Sequence, residues 1–314
     1  MDKIIEAKDI VKRYKELIAL NHFDLNICRG DIYGLLGPNG SGKTTAINCI
    51  LGVLKYDRGV VKIFGKEMTP VSYDIKRKIG VVPQEVALME ELTVYENIDF
   101  FCGLYIEDRR RRKELVKEAM EFVDLGEFKK FLPKKLSGGL KRRLNIACGI
   151  AHKPELIFLD EPTVAVDTQS RNSILEGIKE LNRQGATVVY TSHYMEEVEQ
   201  LCRHITIMDK GRNLVTGSKE EIKDSLEIGQ KIEIELLEEE RKALSIIEKE
   251  AYVYSSKLKG NVMFLETLKE KNALMYILRT FEENNIQYGK VVSHEPSLND
   301  VFLSVTGKEL RDYA

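Results

Sequence analysis

The sequence lacks tryptophan, has only five cysteines in 314 residues and carries no excess of charge of either sign. The cysteines are odd in number and lie about twenty residues or more apart, so they indicate neither a disulfide framework nor a metal site, and the expected compartment is a reducing cytosol. With 48 Lys and Arg against 50 Asp and Glu, the formal net charge is −2, which argues against a chain built to bind phosphate backbones. A content of 43% hydrophobic and 31% charged residues excludes a disordered or collagen-like chain.

Long hydrophobic runs are also missing. No stretch approaches the roughly 18–20 apolar residues that a membrane-spanning helix needs. The N-terminal segment MDKIIEAKDIVKRYK interleaves charged and apolar residues, unlike the apolar core of a secretory signal. We therefore expect a soluble chain, long enough for two domains at roughly 100–200 residues each.

Strand and helix patterns predict a first domain over residues 1–217. Alternating apolar residues over 23–28 predict a half-exposed antiparallel strand, and a helical insertion is expected over about residues 93–152. Apolar runs predict buried parallel strands at residues 32–36, 156–160, 187–192 and 205–209. Helical stretches alternate with the later strands, and this βαβ order predicts an α/β fold whose parallel sheet is covered by helices.

Residues 218–314 have a different pattern, with strands and helices in the order β-α-β-β-α-β and a terminal helix. This order predicts a second domain, an α+β ferredoxin-like module. The segment has no chemical motif of its own. We expect it to act in dimer contact or regulation, with an inert stabilising appendage as the alternative.

A glycine-rich motif, GPNGSGKTT, fits the pattern GxxxxGK(S/T) between a buried strand and an apolar helix. Glycines let successive N–H groups turn inward around a phosphate, Lys43 can reach the β- and γ-phosphates, and Thr44 can offer its hydroxyl to magnesium. The flanking strand and helix disfavour an accidental glycine-rich turn. The expected nucleotide-binding residues of the motif are Gly37, Pro38, Asn39, Gly40, Ser41, Gly42, Lys43, Thr44 and Thr45.

Two consecutive acids end the buried strand LIFLD, at Asp160 and Glu161. Asp160 at the strand end would hold magnesium, whereas Glu161 would orient and deprotonate the attacking water. A surface acidic turn is the alternative, but it becomes improbable beside a phosphate-binding loop.

A second helix N-terminus is ready to bind an anion. It is formed by Leu136, Ser137, Gly138, Gly139 and Leu140. Ser137 is a natural N-cap, and the two glycines permit a close approach. Because one nucleotide has no use for two such ends in one subunit, this end is expected to close on the nucleotide of another subunit. Alone, it would be read as an ordinary capped helix.

Four motifs in this order, GPNGSGKTT, LSGGL, LIFLDEP and TSHYMEEVE, resemble the ATP-binding subunit of an ABC transporter over about residues 1–217. The resemblance implies a P-loop NTPase fold of the ABC type, with an antiparallel β subdomain, a parallel sheet core and a helical subdomain. It also implies ATP and magnesium as cofactors.

The resemblance gives roles to four further residues, each with a plainer alternative. Tyr14 would stack on adenine, a contact worth roughly 1–3 kcal/mol, or be an ordinary packed side chain. Gln84 in VVPQE would link magnesium and the attacking water to the transport partner, or be a loop residue. His193 in TSHYM would contact the γ-phosphate, or be a surface histidine at a strand end. Asp167 in PTVAVD would cross the dimer interface, or only cap a helix.

Two departures from the family pattern are visible. The signature ends in Leu140 instead of the commoner glutamine, which removes one amide from the dimer interface and leaves Ser137, Gly138 and Gly139 in place. PTVAVD replaces the familiar version built of small residues, which leaves dimer communication open. We interpret the first as subfamily variation that preserves activity.

The implied function is an ATP-hydrolysing subunit that powers a separate membrane permease from the cytoplasmic side of the membrane. One phosphate loop and one signature per chain require two chains, head to tail, as a homodimer or a heterodimer. The closing residues PSLNDVFLSVTGKEL resemble bacterial exporters of drugs, antibiotics or ions, and a lipid-like cargo fits the same group. Nucleic-acid-binding ABC-type ATPases of DNA repair or translation are the runner-up, but the expected long coiled-coil insertions or second cassette do not appear. A nonhydrolysing regulatory binder is disfavoured, since Lys43 and Glu161 are both present.

The expected permease-docking surface follows Gln84. It comprises Leu88, Met89, Leu92, Val94, Phe100, Phe101 and Tyr105, with the alternative that most of them form the core of the insertion. The basic run at residues 109–113 could touch anionic lipid headgroups, or be the solvated start of a helix.

Overall fold

The structure is a computed structural model that describes residues 2–238, 240–269 and 273–306. These residues form two compact units, 2–219 and 220–306. The strands of the first unit are β1 (Lys3–Tyr14), β2 (Leu17–Cys28), β3 (Ile32–Leu36), β4 (Arg58–Ile63), β5 (Lys66–Glu67), β6 (Ile79–Val82), β7 (Leu156–Asp160), β8 (Thr187–Ser192), β9 (His204–Asp209) and β10 (Arg212–Ser218). Its helices are α1 (Lys43–Ile50), α2 (Tyr73–Lys76), α3 (Val94–Gly103), α4 (Arg109–Phe122), α5 (Gly138–Ile150), α6 (Thr168–Arg183) and α7 (Met195–Leu201).

Two sheets make up the first unit. One is antiparallel, with strand order β2-β1-β4-β5, and the other has the order β10-β9-β3-β8-β7-β6. In the second sheet β6 to β9 and β3 pair in parallel, and only β10 runs antiparallel, against β9. Strands β3, β7 and β8 are buried at every residue, as expected for parallel strands covered on both faces. The predicted α/β core is confirmed.

Strand order places the candidate site. Strands β3, β8 and β7 are neighbours and point the same way, so their carboxyl ends meet at one edge of the sheet. The segments that follow these strands contain the glycine-rich loop, His193, and the Asp160–Glu161 pair. In open α/β sheets this edge is where ligands bind.

The helical insertion lies between β6 and β7 and contains α3, α4 and α5. The pattern from Thr93 onward forms two helices, each with its own cap. Thr93 and Glu96 form a capping box at α3, and the Asp108 side chain accepts from the Arg111 N–H at α4. The basic run therefore forms the start of α4. Arg112 is its half-buried member and pairs with Asp99 of α3 at 2.9 Å.

The expected docking surface is partly corrected. Val94, the first residue of α3, is fully buried. It faces inward and therefore belongs to the core. Met89 and Phe100 are 40% and 42% exposed, and the remaining members are half-buried. Tyr105 stacks on His152 with ring centroids 3.8 Å apart.

The second unit contains α8 (Lys219–Asp224), β11 (Ile228–Leu236), α9 (Glu240–Ile247), β12 (Val253–Lys259), β13 (Val262–Leu268), α10 (Ala273–Glu283), β14 (Tyr288–His294) and α11 (Leu298–Thr306). Its sheet is antiparallel, with order β12-β13-β11-β14, and the predicted β-α-β-β-α-β order with a terminal helix is observed. Alternate residues of β11, such as Ile232 and Ile234, pack in one core with Ile247 of α9 and Phe281 of α10.

One boundary differs from the sequence expectation. Strand β10 continues to Ser218, one residue beyond the expected domain end, since it pairs with β9 along its length. Among the residues that the structure describes, no helix combines the length and apolar character needed to span a bilayer.

Candidate functional site

The glycine-rich loop joins β3 to α1 and needs its glycines. Gly42 is the N-cap of α1 with φ 109°, and a Cβ there would come within 2.7 Å of the Ala19 carbonyl oxygen. A Cβ on Gly37 would come within 2.3 Å of the Met208 carbonyl oxygen. The loop also buries the Ser41 hydroxyl oxygen, which has no hydrogen-bond partner among the residues that the structure describes. A buried polar atom of this kind, at the N-terminus of a helix, fits a loop shaped for phosphate oxygens.

Lys43, the first residue of α1, is buried and reaches back across this loop. Its Nζ donates to the carbonyl oxygens of Gly37 at 2.8 Å and Pro38 at 3.3 Å. The same nitrogen lies 3.1 Å from Glu161 Oε1, at the end of β7. The glycine-rich loop and the acidic strand end therefore meet at the Lys43 ammonium.

Glu161 is the centre of the charged cluster. It is buried and has φ 48°, a left-handed backbone that is rare for residues other than glycine. Its Oε2 accepts from Gln84 Nε2 at 3.3 Å and lies 3.4 Å from His193 Nδ1. Burial alone would raise the pKa of Glu161, but the hydrogen bond with His193 and the charge of Lys43 outweigh it and lower that pKa below its ordinary value. The lowered pKa keeps Glu161 in its ionised form at neutral pH.

Asp160 lies beside the phosphate loop and accepts two short hydrogen bonds. Thr44 Oγ1 donates to its Oδ2 at 2.9 Å, and Thr191 Oγ1 donates to its Oδ1 at 2.6 Å. No group of three or more His, Cys, Asp or Glu side chains in the described part of the chain is arranged to hold a metal by itself. Oxygens from Thr44, Asp160 and Gln84 nevertheless fit magnesium, which binds through one or two carboxylates and completes its shell with waters and substrate phosphates.

The Gln84 loop is held by two residues of α5 that sequence reasoning missed. Buried Arg142 donates to the carbonyl oxygens of Pro83 at 3.0 Å and Gln84 at 2.8 Å. Asn145, one turn along, accepts from the Ala87 N–H at 3.1 Å. The i, i+3 spacing places both on one face of α5. The loop that carries Gln84 is thus attached to the helix that begins with the signature.

Tyr14 lines a cleft of about 390 Å³ together with Lys43, Thr44, Gln84 and Glu161. Its side chain is 46% exposed, and Lys12 Nζ lies 5.0 Å from its ring centroid. Five residues that the sequence did not single out line the same cleft: Leu17, Ile18, Ala19, Lys210 and Gly211. The exposed apolar side chains of Leu17 and Ile18 next to Tyr14 suit a flat base, but these β2 residues give no sequence signal for that role.

The signature lies elsewhere, since none of the residues lining this cleft belongs to it. Ser137 is exposed and caps α5 by accepting from the Leu140 N–H at 3.3 Å, so the predicted cap is confirmed. Gly139 packs against the start of α6, where a Cβ would come within 3.0 Å of Ser170 Oγ.

Asp167 is exposed and caps α6 by accepting from the Ser170 N–H at 2.9 Å. Hydrogen bonds from Ser170 lower its pKa below the ordinary value. The plainer role expected for Asp167 is therefore observed, and its role across a dimer interface stays a prediction. The structure brings Lys43, Thr44, Gln84, Asp160, Glu161 and His193 together and leaves the signature and Asp167 on another surface of the unit.

The sequence is similar to those of known proteins over nearly its whole length. The sequence pattern that defines the ABC transporter family matches residues 20–164. The linearmycin resistance ATP-binding protein LnrL of Bacillus subtilis is 36% identical over 314 residues, which cover 98% of this chain and 100% of that protein. The daunorubicin resistance ATP-binding protein DrrA3 of Streptomyces coeruleorubidus is 31% identical and covers 99% and 98%. The Nod factor export ATP-binding protein I of Cupriavidus metallidurans is 32% identical and covers 99% and 100%.

Solved structures match the first unit. A bacterial ABC transporter cassette solved as a dimer is 28% identical, covers 68% of this chain and 98% of its own, and has a TM-score of 0.64. A dimeric post-hydrolysis state of that cassette, bound to ADP and Pi, has a TM-score of 0.63 and the same identity and coverage. The chain therefore belongs to the ABC transporter family as an ATP-binding subunit, an ATPase that powers transport.

Proposed function

We infer that two such subunits, in a homodimer or a heterodimer, enclose two ATP molecules head to tail and drive a membrane permease that exports a drug, an antibiotic, a lipid-like molecule or an ion. The observation that carries this proposal is the meeting of Lys43, Asp160, Glu161 and His193 at one edge of the parallel sheet. These groups supply the phosphate contacts, the metal ligand and the base that phosphoryl transfer to water requires.

In hydrolysis, the loop N–H groups and Lys43 bind the β- and γ-phosphates, and Tyr14 stacks on adenine. Magnesium, when bound by Thr44, Asp160 and Gln84, would neutralise phosphate charge. Glu161 accepts a proton from the attacking water, since its lowered pKa keeps it ionised. His193, beside Glu161, contacts the terminal phosphate. Gln84 connects this cluster to α5 through Arg142.

The dimer is proposed because the chain holds half of the machinery on each of two surfaces. The signature residues 136–140 do not line the cleft of their own chain, and Ser137 and Gly138 are exposed. A second subunit turned head to tail would place this helix end against the terminal phosphate, and Asp167 beside it. ATP at both interfaces holds the subunits together, and hydrolysis releases them.

The permease contact is proposed at the exposed part of the surface after Gln84, centred on Met89 and Phe100. This surface adjoins the Gln84 loop, which is hydrogen-bonded to Arg142 and Asn145 of α5. Movement of the helical insertion would therefore also move Gln84. The subunit would thus sit peripherally on the cytoplasmic side of the membrane. The second unit is proposed to act in dimer contact or regulation.

Export is supported by the names of the similar proteins, two of which are called resistance ATP-binding proteins and one a Nod factor export ATP-binding protein. The test uses the complete chain with its permease in inside-out membrane vesicles. ATP should drive a compound into these vesicles, and the same compound should stimulate ATP hydrolysis. ATP-dependent movement in the opposite direction contradicts export.

A variant pair separates coupling from hydrolysis. Phe100→Asp should abolish compound-stimulated hydrolysis while the basal ATPase of the isolated chain stays unchanged, because Phe100 is exposed on the proposed contact surface. Val60→Asp places the same charge on an exposed residue of β4 and should leave stimulation intact. Equal stimulation in Phe100→Asp and wild type places the contact elsewhere.

A further inference from the structure

One acid outside the site described above is completely enclosed. Glu197 lies on α7 and is 3% exposed. Its Oε2 accepts from three hydroxyls: Tyr190 at 2.7 Å, Thr163 at 2.9 Å and Ser192 at 3.0 Å. Its Oε1 lies 3.4 Å from Arg171 Nε on α6. A buried carboxylate is costly unless it is paired and hydrogen-bonded, and here four separate residues supply the partners.

Two of these partners adjoin residues of the candidate site. Thr163 follows Glu161 by two residues, and Ser192 directly precedes His193. The Ser192 hydroxyl also accepts from the Tyr194 N–H at 2.9 Å, which closes the turn that carries His193. One carboxylate oxygen therefore holds the two segments that present Glu161 and His193.

The backbone of the segment after β7 is strained and needs contacts that hold it in place. Glu161 and Ala165 both have left-handed backbones, with φ 48° and 58°. Residues with a side chain disfavour this conformation, and it persists only where the surroundings hold it in place. Thr163 lies between the two, and its hydrogen bond to Glu197 attaches the strained segment to α7.

The remaining partners extend the network. Tyr190 keeps its proton, because burial first and the negative charge of Glu197 second raise its pKa well above the ordinary value. It therefore remains a donor to Glu197. Arg171 places its guanidinium 4.9 Å from the ring centroid of Tyr194, so α6 is attached to the His193 turn as well.

We propose that Glu197 is a positioning residue for ATP hydrolysis, because its hydrogen bonds to Thr163 and Ser192 hold the segments of Glu161 and His193 in one arrangement at the terminal phosphate. In this proposal Glu197 neither accepts nor delivers a proton. The inference rests on the roles of Glu161 and His193 proposed above.

The first test compares Glu197→Gln with Glu196→Gln in the full-length chain. The amide nitrogen of glutamine cannot accept, so either the hydroxyls or Arg171 lose their partner. A small misplacement of reacting groups can cost about 10²-fold in rate. We expect kcat of Glu197→Gln to fall by about that factor, with KM and the Kd for ATP unchanged. Glu196 is exposed on the same helix, and its variant should match wild type.

A second variant keeps the test valid if Glu197→Gln does not fold. Thr163→Val removes one donor to Glu197 and keeps a similar side-chain shape. We expect it to lower kcat in the same direction by a smaller factor. Wild-type kcat in both Glu197→Gln and Thr163→Val would overturn the inference, and so would a loss that appears only as weaker ATP binding.

A double variant separates this inference from the proposed function. If Glu197 acts through Glu161 and His193, adding Glu197→Gln to Glu161→Gln should cause a clearly smaller loss of turnover than Glu197→Gln causes alone. A purely structural role would cause the same loss in either background and would overturn the inference. Normal turnover of Glu161→Gln alone would instead reject the proposed function, whereas impaired Glu161→Gln beside normal Glu197→Gln rejects only the role of Glu197.

Discussion

The N-termini of α1 and α5 both carry backbone N–H groups and a partial positive charge, yet they are capped differently. Helix α1 begins at Gly42 without a side-chain cap, and its first residue, Lys43, is buried. Helix α5 begins at Ser137, whose hydroxyl caps the helix and is exposed. The uncapped end leaves its N–H donors available to a ligand, whereas the Ser137 hydroxyl already occupies one donor at the other end. The proposed function assigns the first end to ATP of its own chain and the second to ATP of a partner subunit.

This difference suggests an order of events. In the proposed function, ATP would first occupy the α1 end, because that cleft already contains the phosphate loop, Asp160 and Glu161. The α5 end would join later, when a second subunit closes. Changes at α1 should therefore affect binding or chemistry in a single chain, whereas changes at α5 should affect only the closed dimer.

The largest effect is expected at the acid beside α1. Glu161→Gln should slow hydrolysis by about 10²- to 10⁴-fold, since it removes the general base. ATP affinity should be retained, and a nucleotide-bound dimer should accumulate. Steady-state ATPase assays and size-exclusion chromatography with ATP measure both.

Glu155→Gln is the matched control for that change. Glu155 precedes β7 at the opposite end of the strand and pairs with Arg29 at 2.9 Å and Lys78 at 2.8 Å. The Glu155→Gln variant should hydrolyse ATP at the wild-type rate. Near-normal turnover of Glu161→Gln would show that the acid beside the N-terminus of α1 takes no part in the chemistry.

A smaller effect is expected for Lys43→Ala. Hydrogen bonds to charged groups contribute about 1.5–3 kcal/mol, so ATP affinity should fall by about 10- to 100-fold. Isothermal titration calorimetry measures this, and Lys117→Ala, an exposed lysine on α4, is the control. Unchanged affinity would contradict the assignment of the phosphate loop.

Ser137→Ala should separate the two helix ends. Loss of the cap costs about 1 kcal/mol of stability, and turnover in the dimer should fall while ATP affinity of the single chain stays constant. Asp108→Ala removes the cap of α4 and should lose similar stability without losing turnover. If both variants lose turnover equally, the α5 end has no special role.

The smallest effect is expected from truncation after residue 219. Both helix ends lie in the first unit, which has its own core, so the melting temperature and ATP affinity of this fragment should stay near the values of the full chain. Thermal unfolding followed by circular dichroism checks this. Global unfolding of the fragment would refute the domain assignment.

Much of this site could be predicted because its signals are local. The glycine-rich loop, the acids after an apolar strand and the Ser137 cap each occupy a few consecutive residues between recognisable elements. The hydrogen bond from Arg142 to the Gln84 carbonyl oxygen joins residues 58 positions apart, and no pattern near Arg142 in the sequence predicts it. Glu197 was equally hidden, since a glutamate within EEVE reads as part of a solvated helix face until the fold buries it.

The left-handed backbone at Glu161 has a consequence for how this family member can change. A residue with a Cβ gives up about 1–2 kcal/mol in that conformation, which glycine would recover. The buried pair with Lys43 outweighs that gain, because loss of one partner would leave the Lys43 ammonium uncompensated. Glu161→Gly would therefore relax the backbone and still lower the melting temperature, so one residue couples backbone strain to charge pairing.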